Sequence, residues 1–254
     1  MYLSWNEKTL TKFDDKSVEQ AYDNGFVFTR KGRGVMNQTR SLRIDLSKFE
    51  LSSENKRVLK KTEDLILSAS PIPYAEYDWN IHKMGKEFYE KKIGEKMFSA
   101  QKIKELITDK NKSNFNKLFV YILSLRGGRF ASADAAIPGL ALPSDGIASP
   151  RLSGTRNDSV VGYCITLETG NILHYCYPFY NLQPTTYNLQ PNTGMGMMLK
   201  AIIWAKNNNK KYVYLGSFQR PTDTYKLQFS GLEWFDGNEW ERDLNKLKLL
   251  DIRY

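Results

Sequence analysis

Residues 170–216 decide the fold class, and they read GNILHYCYPFYNLQPTTYNLQPNTGMGMMLKAIIWAKNNNKKYVYLG. The β-rich run from Gly170 to Tyr177 predicts a strand, and a loop containing Gly194 and Gly196 follows it. Tyr212 to Leu215 predicts a second strand. Between the loop and this strand, apolar residues recur at the spacing of one helical face. They are Met195, Met198, Leu199, Ile202 and Ile203.

The sequence around this unit continues the same pattern. Val160 to Leu167 predicts an earlier strand, and Thr169-Gly170 suits a hairpin turn. Thr222 to Phe229 then predicts a short helix, and Leu232 to Phe235 predicts a further strand. Strands that alternate with helices in this way predict an α/β fold with a mixed sheet flanked by helices.

The chain divides into a basic α+β segment, residues 1–67, and a larger unit, residues 68–254. Within the larger unit, residues 126–158 are rich in glycine, alanine, serine and proline and show no periodicity. A stretch of this length is a long loop or an insertion. It is either a lid over a substrate site or a flexible excursion.

The N-terminal segment contains a predicted strand and a predicted helix, and the helix has one apolar side and one basic side. Ser41 to Leu46 alternates apolar with polar residues, which is the period of a half-buried strand. A helix begins at Ser52 or Ser53, and its apolar stripe runs to Ile66. The other side of this helix can bind along a phosphate backbone, or it can simply be a solvated surface. The four cations on that side are Lys56, Arg57, Lys60 and Lys61.

Composition favours a polyanionic partner and argues against several other classes. The net charge is +9, from 37 basic and 28 acidic residues, which favours RNA, DNA or a membrane surface as partner. Two cysteines without a Cys-x-x-Cys partner and two histidines predict no metal site. Because no apolar run is long enough to span a bilayer, we expect a cytoplasmic protein that does not contact a membrane.

Two motifs follow the glycine loop. Tyr212-Val213-Tyr214-Leu215-Gly216 has the form Tyr-x-Tyr-Leu-Gly, and Tyr225-Lys226-Leu227-Gln228-Phe229 contains a lysine in a predicted helix. Together with the loop at 192–196, they resemble the C-terminal half of the arginyl- and leucyl-tRNA–protein transferases, the aminoacyltransferases of the N-end rule. An earlier block resembles the N-terminal segment of that family. It comprises Gly25-Phe26, the basic turn at 31–34, Ser41-Leu42-Arg43-Ile44 and the helix through Lys61.

The match to known patterns is incomplete at three places. The Cys-x-x-Cys of the transferase family falls on Met36 and Thr39, so the resemblance implies no metal or iron–sulfur centre. The transferase family often has acidic residues at the end of the strand before the glycine loop, where this chain has Tyr177-Pro178-Phe179-Tyr180. The glycine loop also resembles that of GNAT acetyltransferases through Gly194 and Gly196, but Pro191 stands where their basic or amide residue would be.

The resemblance implies a GNAT-like fold and transfer of an amino acid from aminoacyl-tRNA to the N-terminal amine of a protein or peptide, with no further cofactor. The expected catalytic residues are Lys226, Tyr225, Glu233 and Tyr214. The expected donor-binding residues are Tyr180, Asn192, Gly194, Gly196 and Gln228. The expected RNA-binding residues are Arg40, Arg43, Lys56, Arg57, Lys60 and Lys61. Two alternatives remain open, namely a GNAT N-acyltransferase that uses acyl-CoA and a non-catalytic RNA-binding relative.

Overall fold

A computed structural model of the chain describes residues 3–124, 158–182 and 192–250. In chain order its elements are β1 (Asn6–Thr9), α1 (Asp15–Asp23), β2 (Phe26–Phe28), β3 (Val35–Gln38), β4 (Ser41–Asp45), α2 (Ser53–Lys61), β5 (Leu65–Pro71), α3 (Trp79–Lys92), α4 (Ala100–Thr108), β6 (Lys117–Ser124), β7 (Asp158–Glu168), β8 (Ile172–Tyr180), α5 (Thr193–Asn207), β9 (Tyr212–Ser217), a 3-10 helix (Pro221–Gln228), β10 (Leu232–Phe235), β11 (Trp240–Glu241) and α6 (Leu244–Leu249).

Eight of the described strands form one sheet in the order β11-β10-β4-β9-β8-β7-β6-β5. Its neighbouring strands are antiparallel except β8 and β9, which are parallel and are connected through α5. The other three strands form a small sheet in the order β1-β3-β2. The predicted α/β architecture, an open mixed sheet flanked by helices, is confirmed.

The two faces of the large sheet are covered by different helices. On one face, Val213 and Leu215 of β9 belong to the same apolar core as Leu199 and Ile202 of α5, and α2 packs beside α5. On the other face, Tyr214 packs in a second core with residues of α1, α3, α4 and the small sheet. Alternate residues of one strand thus enter separate cores, as the pleat of a strand requires.

The N-terminal segment is built into the large sheet. Its strand β4 lies between β10 and β9, and all five of its residues are buried, whereas the alternation predicted a half-buried strand. Because β4 is an interior strand covered on both faces, its polar residues must be buried with partners. The predicted domain boundary at residue 67 lies inside β5, which pairs with β6.

The helix α2 is shorter than its apolar stripe predicted. Ser52 caps its N-terminus through the backbone N–H of Asn55, but the helix ends at Lys61, with Thr62 as its C-cap. Leu65 and Ile66, assigned to the stripe from sequence, instead begin β5. Because β5 is an edge strand, Ile66 remains 44% exposed.

Most of the other predicted elements appear close to their expected positions. Thr169-Gly170 connects β7 to β8 as the hairpin turn, and the helix expected at 222–229 is the 3-10 helix. Of the predicted loop or insertion at 126–158, all but Asp158 lies outside the described residues. Among the helices that the structure describes, none combines the length and the apolar character needed to cross a bilayer.

Candidate functional site

The parallel strands β8 and β9 separate after a short paired stretch. Residues 172–174 pair with residues 212–214, and His174 opposite Tyr214 is the last pair. The register of β8 against β7 then shifts at Cys176, which is the extra residue of a β-bulge. Because a bulge bends its strand, residues 175–180 of β8 diverge from β9. We call the space between residues 175–180 and residues 215–217 the wedge.

The N-terminus of α5 lies beside the far end of β8. Asn192 precedes the helix in a left-handed conformation, with φ of 88°, and its side chain makes no capping hydrogen bond. The first backbone N–H groups of a helix have no acceptor within the helix, and such groups can bind a ligand oxygen. The ring of Tyr180 lies against Gly194, where an added Cβ would be 3.1 Å from a ring carbon. The structure thus brings these three expected donor-binding residues together.

The 3-10 helix places two more of the expected residues, Gln228 and Tyr225, beside the N-terminus of α5. The Nε2 of Gln228 donates to the main-chain oxygen of Tyr225 at 2.6 Å and lies 3.7 Å from the Sδ of Met195, in the first turn of α5. Tyr225 is 44% exposed. Burial, together with the nearby Tyr225, raises the pKa of Tyr180. Both tyrosines therefore border the N-terminus of α5.

Lys226 is buried at the edge of the wedge. Its Nζ donates to the main-chain oxygen of Ser217 at 2.9 Å and forms an ion pair of 3.1 Å with Oδ1 of Asp223. Burial, together with the charge of Lys226, lowers the pKa of His174 to about 3. Burial raises the pKa of the Cys176 thiol to about 12, although the charge of Lys226 opposes this change. The positive charge of Lys226 therefore influences the pKa values of residues at the point where β8 separates from β9.

Gly196, the second glycine of the loop, has a different environment. A Cβ added at this position would lie 2.5 Å from Oγ1 of Thr62, at the C-terminus of α2. Gly196 is buried, and it allows α5 to pack closely against α2. The close packing of the two helices explains this glycine without any contact to a donor.

Arg43 and Glu233 form an ion pair in the second core, away from the N-terminus of α5. The Nε of Arg43 lies 2.8 Å from Oε2 of Glu233, and the other carboxylate oxygen of Glu233 contacts Arg242 at 2.9 Å. The Arg43 guanidinium lies between the rings of Tyr212 and Trp240, at 4.0 and 3.9 Å from their centroids. Because the pair lies in the second core, away from the N-terminus of α5, this arrangement favours a structural role for it.

Tyr214, expected to be catalytic, is also buried in the second core. Its hydroxyl lies 3.4 Å from the Arg43 guanidinium, and its ring meets the ring of Tyr22 edge-on at 4.9 Å. Burial raises the pKa of Tyr214 above its ordinary value. These contacts do not bring it to the cluster formed by Tyr180, Gly194 and Tyr225.

The cations of α2 lie on its exposed face, on the side of the helix opposite the buried Asn55 and Val58. All four side chains are exposed, and Arg57 pairs with Glu54 at 2.5 Å. The Nδ2 of Asn55 lies 3.5 Å from Oε1 of Gln228, so α2 contacts the 3-10 helix. Arg40 is half-buried, and its main-chain oxygen accepts from the N–H of Phe218. We call the face formed by Lys56, Arg57, Lys60 and Lys61 the basic face.

Three neighbours of the wedge were not among the site residues expected from sequence. Phe88 of α3 packs on Tyr180 with ring centroids 4.9 Å apart. His174 lies where β8 and β9 separate, and Gly216 lies just beyond the last residue of β9 that pairs with β8. Helical periodicity placed none of them near the glycine loop, because they come from three separate elements. Over the described ranges, no group of three or more His, Cys, Asp or Glu is close enough to hold a metal ion.

No family model matches the chain, and no curated protein sequence matches it. Among solved structures, the chain is similar to L-PGS from Bacillus licheniformis, with a TM-score of 0.42 and 9% sequence identity over 80% of this chain and 50% of that one. It is also similar to FemX, with a TM-score of 0.41 and 7% identity over 84% of this chain and 57% of that one. The chain therefore spans little more than half the length of either structure.

Proposed function

We propose that the protein transfers an amino acid from aminoacyl-tRNA to the N-terminal amine of a protein or peptide, on a GNAT-like fold. The observation that carries the proposal is the buried Lys226 ammonium at the edge of the wedge, where β8 and β9 separate. The glycine-containing N-terminus of α5, with Tyr180 and Tyr225 beside it, borders the same region. The sequence resemblance through residues 212–216 and 225–229 agrees with this assignment.

The reaction requires no activation of the donor, since an aminoacyl ester is already reactive. The amine nitrogen of the acceptor attacks the ester carbonyl, a negative charge develops on the carbonyl oxygen, and the ribose hydroxyl leaves. The enzyme must align the two substrates and stabilise that charge. Lys226 provides a fixed positive charge, and the N–H groups at Gly194 and Met195 provide donors of neutral hydrogen bonds.

The aromatic residues around the N-terminus of α5 suit the 3′-terminal adenosine of tRNA. Tyr225 is half exposed and Tyr180 packs on Phe88, so the two tyrosines offer ring surfaces on which a base can stack. The helix α2 contacts the cluster through Asn55 and Gln228, on the side of the helix opposite its basic face. We propose that the acceptor stem follows this face while the charged 3′ end enters the wedge.

Some of the residues expected from sequence have no role in this proposal. Arg43, Glu233 and Tyr214 are buried together away from the N-terminus of α5, and Gly196 packs against Thr62. Without these residues, the roles of charge stabilisation and base stacking fall to Lys226, Tyr180 and Tyr225.

The test is transfer of labelled amino acids from a pool of charged tRNA to a mixture of peptides with different N-termini. Labelling of peptide that disappears after ribonuclease treatment supports the proposal and identifies the amino acid. A catalytically inactive protein that still binds tRNA would instead be the non-catalytic relative.

A second candidate function is transfer from acyl-CoA to an amine. Two diverging parallel strands beside an uncapped helix N-terminus favour it, because backbone N–H groups at such a helix can bind a pyrophosphate. The same peptide mixture with labelled acetyl-CoA as donor distinguishes the two. Labelling that needs acetyl-CoA and resists ribonuclease would replace the first proposal with the second.

A further inference from the structure

Tyr22 fixes the position of the proton on His174. The Tyr22 hydroxyl lies 2.8 Å from Nδ1 of His174, and the hydroxyl oxygen accepts the N–H of Phe28 at 3.3 Å. Within the described ranges, no other acceptor for the hydroxyl proton is found, so the hydroxyl donates to Nδ1. Because a neutral imidazole carries one proton, that proton is then on Nε2.

The Nε2–H group is a buried donor without a partner in the described part of the chain. His174 as a whole is only 1% exposed. Burial and the charge of Lys226 lower the pKa of His174 to about 3, so the ring is neutral at physiological pH. Buried polar groups nearly always have a partner, so an orphaned donor beside a cleft indicates a ligand that supplies the acceptor.

His174 lies at the closed end of the wedge, and there is space next to it. It is the last residue of β8 that pairs with β9, opposite Tyr214. Two residues further along each strand are Cys176 and Gly216, and both are half-buried. Apart from Gly216 and its two chain neighbours, no atom of the described residues lies within 4 Å of the position that a Cβ would occupy at Gly216. A small group that enters the wedge therefore has room beside Gly216.

We propose that His174, oriented by Tyr22, donates its Nε2–H to the carbonyl oxygen of the acyl group that is transferred. This inference rests on the proposed function and adds to it a catalytic residue with a neutral donor. The amine nitrogen forms a bond to the carbonyl carbon, and the electron pair of the C=O double bond moves to the oxygen, which His174 and Lys226 stabilise. The ester C–O bond then breaks, and the leaving ribose oxygen takes the proton of the ammonium group. No proton passes to or from His174.

Two substitutions at His174 separate the donor role from a structural role. In His174→Gln, the amide N–H₂ can take the place of Nε2–H. In His174→Asn, the shorter amide can accept from Tyr22 but does not reach the position of Nε2. We expect kcat to fall about 100-fold in His174→Asn, the usual effect of removing one oxyanion donor, and His174→Gln to retain at least about tenfold more activity than His174→Asn.

Thermal unfolding of the two variants gives the control. A purely structural role predicts the reverse order, because His174→Asn keeps the bond to Tyr22 and should be the more stable and the more active variant. Equal kcat in the wild type and His174→Asn, or higher kcat in His174→Asn than in His174→Gln, overturns the inference while the transferase proposal stands.

A binding measurement decides the inference even if no transfer is detected. The probe is a 3′-aminoacylamino-3′-deoxyadenosine, an amide that mimics the charged tRNA end and is not consumed. In ¹⁵N NMR of histidine-labelled protein, we expect a protonated Nε2 in the free state and a shift of that nitrogen when the probe binds. A proton on Nδ1, or binding of the probe without a shift at Nε2, would overturn the inference.

Discussion

The Nζ of Lys226 donates a hydrogen bond of 2.9 Å to the main-chain oxygen of Ser217, the last residue of β9. A second contact, with Asp223 at 3.1 Å, holds the ammonium group from the 3-10 helix. A buried charge held from two sides cannot swing into solvent. In the proposed reaction, the ammonium group is therefore already in place when negative charge develops in the wedge.

Replacement of Lys226 by methionine should abolish most of the transfer activity. The substitution keeps the volume of the side chain and removes its charge, so we expect kcat to fall about 100-fold. The matched control is Lys246→Met, because Lys246 is an exposed lysine that also pairs with a carboxylate, that of Glu241. Initial rates of peptide labelling provide the measurement. A Lys226→Met variant as active as Lys246→Met would exclude a role for this ammonium in the reaction.

The basic face of α2 should supply much of the affinity for tRNA. Replacing all four cations by glutamine removes the charges that neutralise tRNA phosphates. We expect weaker binding and a salt dependence whose log–log slope is smaller by about one unit for each phosphate that is no longer neutralised. Titration of tRNA at several salt concentrations measures both quantities. The four substitutions are Lys56→Gln, Arg57→Gln, Lys60→Gln and Lys61→Gln.

The control for that experiment is an exposed face of α3 with the same charge. Lys83, Lys86, Lys91 and Lys92 are all exposed. Their replacement by glutamine changes the net charge by the same amount, so any difference between the two variants is due to position. If both variants bind tRNA with the same affinity and salt slope, the basic face is only a solvated surface.

The two glycines of the α5 loop should respond differently to alanine. Gly196→Ala places a Cβ 2.5 Å from Thr62, so we expect the free energy of unfolding to fall by about 2 kcal/mol. In Gly194→Ala the nearest atom belongs to the Tyr180 ring at 3.1 Å. Alanine also favours a helix over glycine by about 1 kcal/mol, so the stability of Gly194→Ala should be nearly unchanged.

The activity of the same two variants locates the donor site. Displacement of Tyr180 in Gly194→Ala should raise KM for aminoacyl-tRNA, whereas the folded fraction of Gly196→Ala should keep the wild-type KM. Urea unfolding and steady-state kinetics supply the two measurements. A rise in KM only for Gly196→Ala would move donor binding to the contact between α2 and α5.

The stability of the protein should depend on pH through His174. Its pKa is lowered to about 3, whereas in the unfolded chain it has the ordinary value of 6.5. Between these values the unfolded state binds a proton that the folded state does not bind. The stabilisation is therefore complete above pH 6.5, and it falls by about 1.4 kcal/mol per pH unit as the pH drops toward 3.

Urea unfolding at pH 7, 5.5 and 4.5 tests this dependence against His174→Gln, which cannot bind the proton. The wild type should lose more stability than the variant at each step toward low pH. Parallel curves for the two proteins would mean that the pKa of His174 is the same in the folded and unfolded states.

Local sequence patterns predicted much of the fold. The start of α2 at Ser52 and the hairpin turn at Thr169-Gly170 both follow from short-range rules. The end of α2 did not follow, because Leu65 and Ile66 continue a helical stripe although they pair with β6. Pairing with a strand more than 50 residues away overrides the local pattern.

The candidate site was predicted only where its residues are close in sequence. The loop at 192–196 and the helix at 225–229 were both selected, and Gln228 brings them together. Glu233 was expected to be catalytic and Arg43 to bind RNA, because the sequence does not reveal that β10 pairs with β4. His174 was missed because its importance depends on Tyr22, which lies 152 residues away.

Transfer of an amino acid from tRNA to an N-terminal amine adds one aminoacyl residue to the mass of the acceptor peptide, and mass spectrometry detects this gain. The purified protein is incubated with charged tRNA and two peptides of equal sequence, one with a free N-terminus and one with an acetylated N-terminus. We predict that only the free peptide gains the mass of one aminoacyl residue, and that ribonuclease prevents this gain. No gain in mass, or an equal gain on the acetylated peptide, would contradict the account.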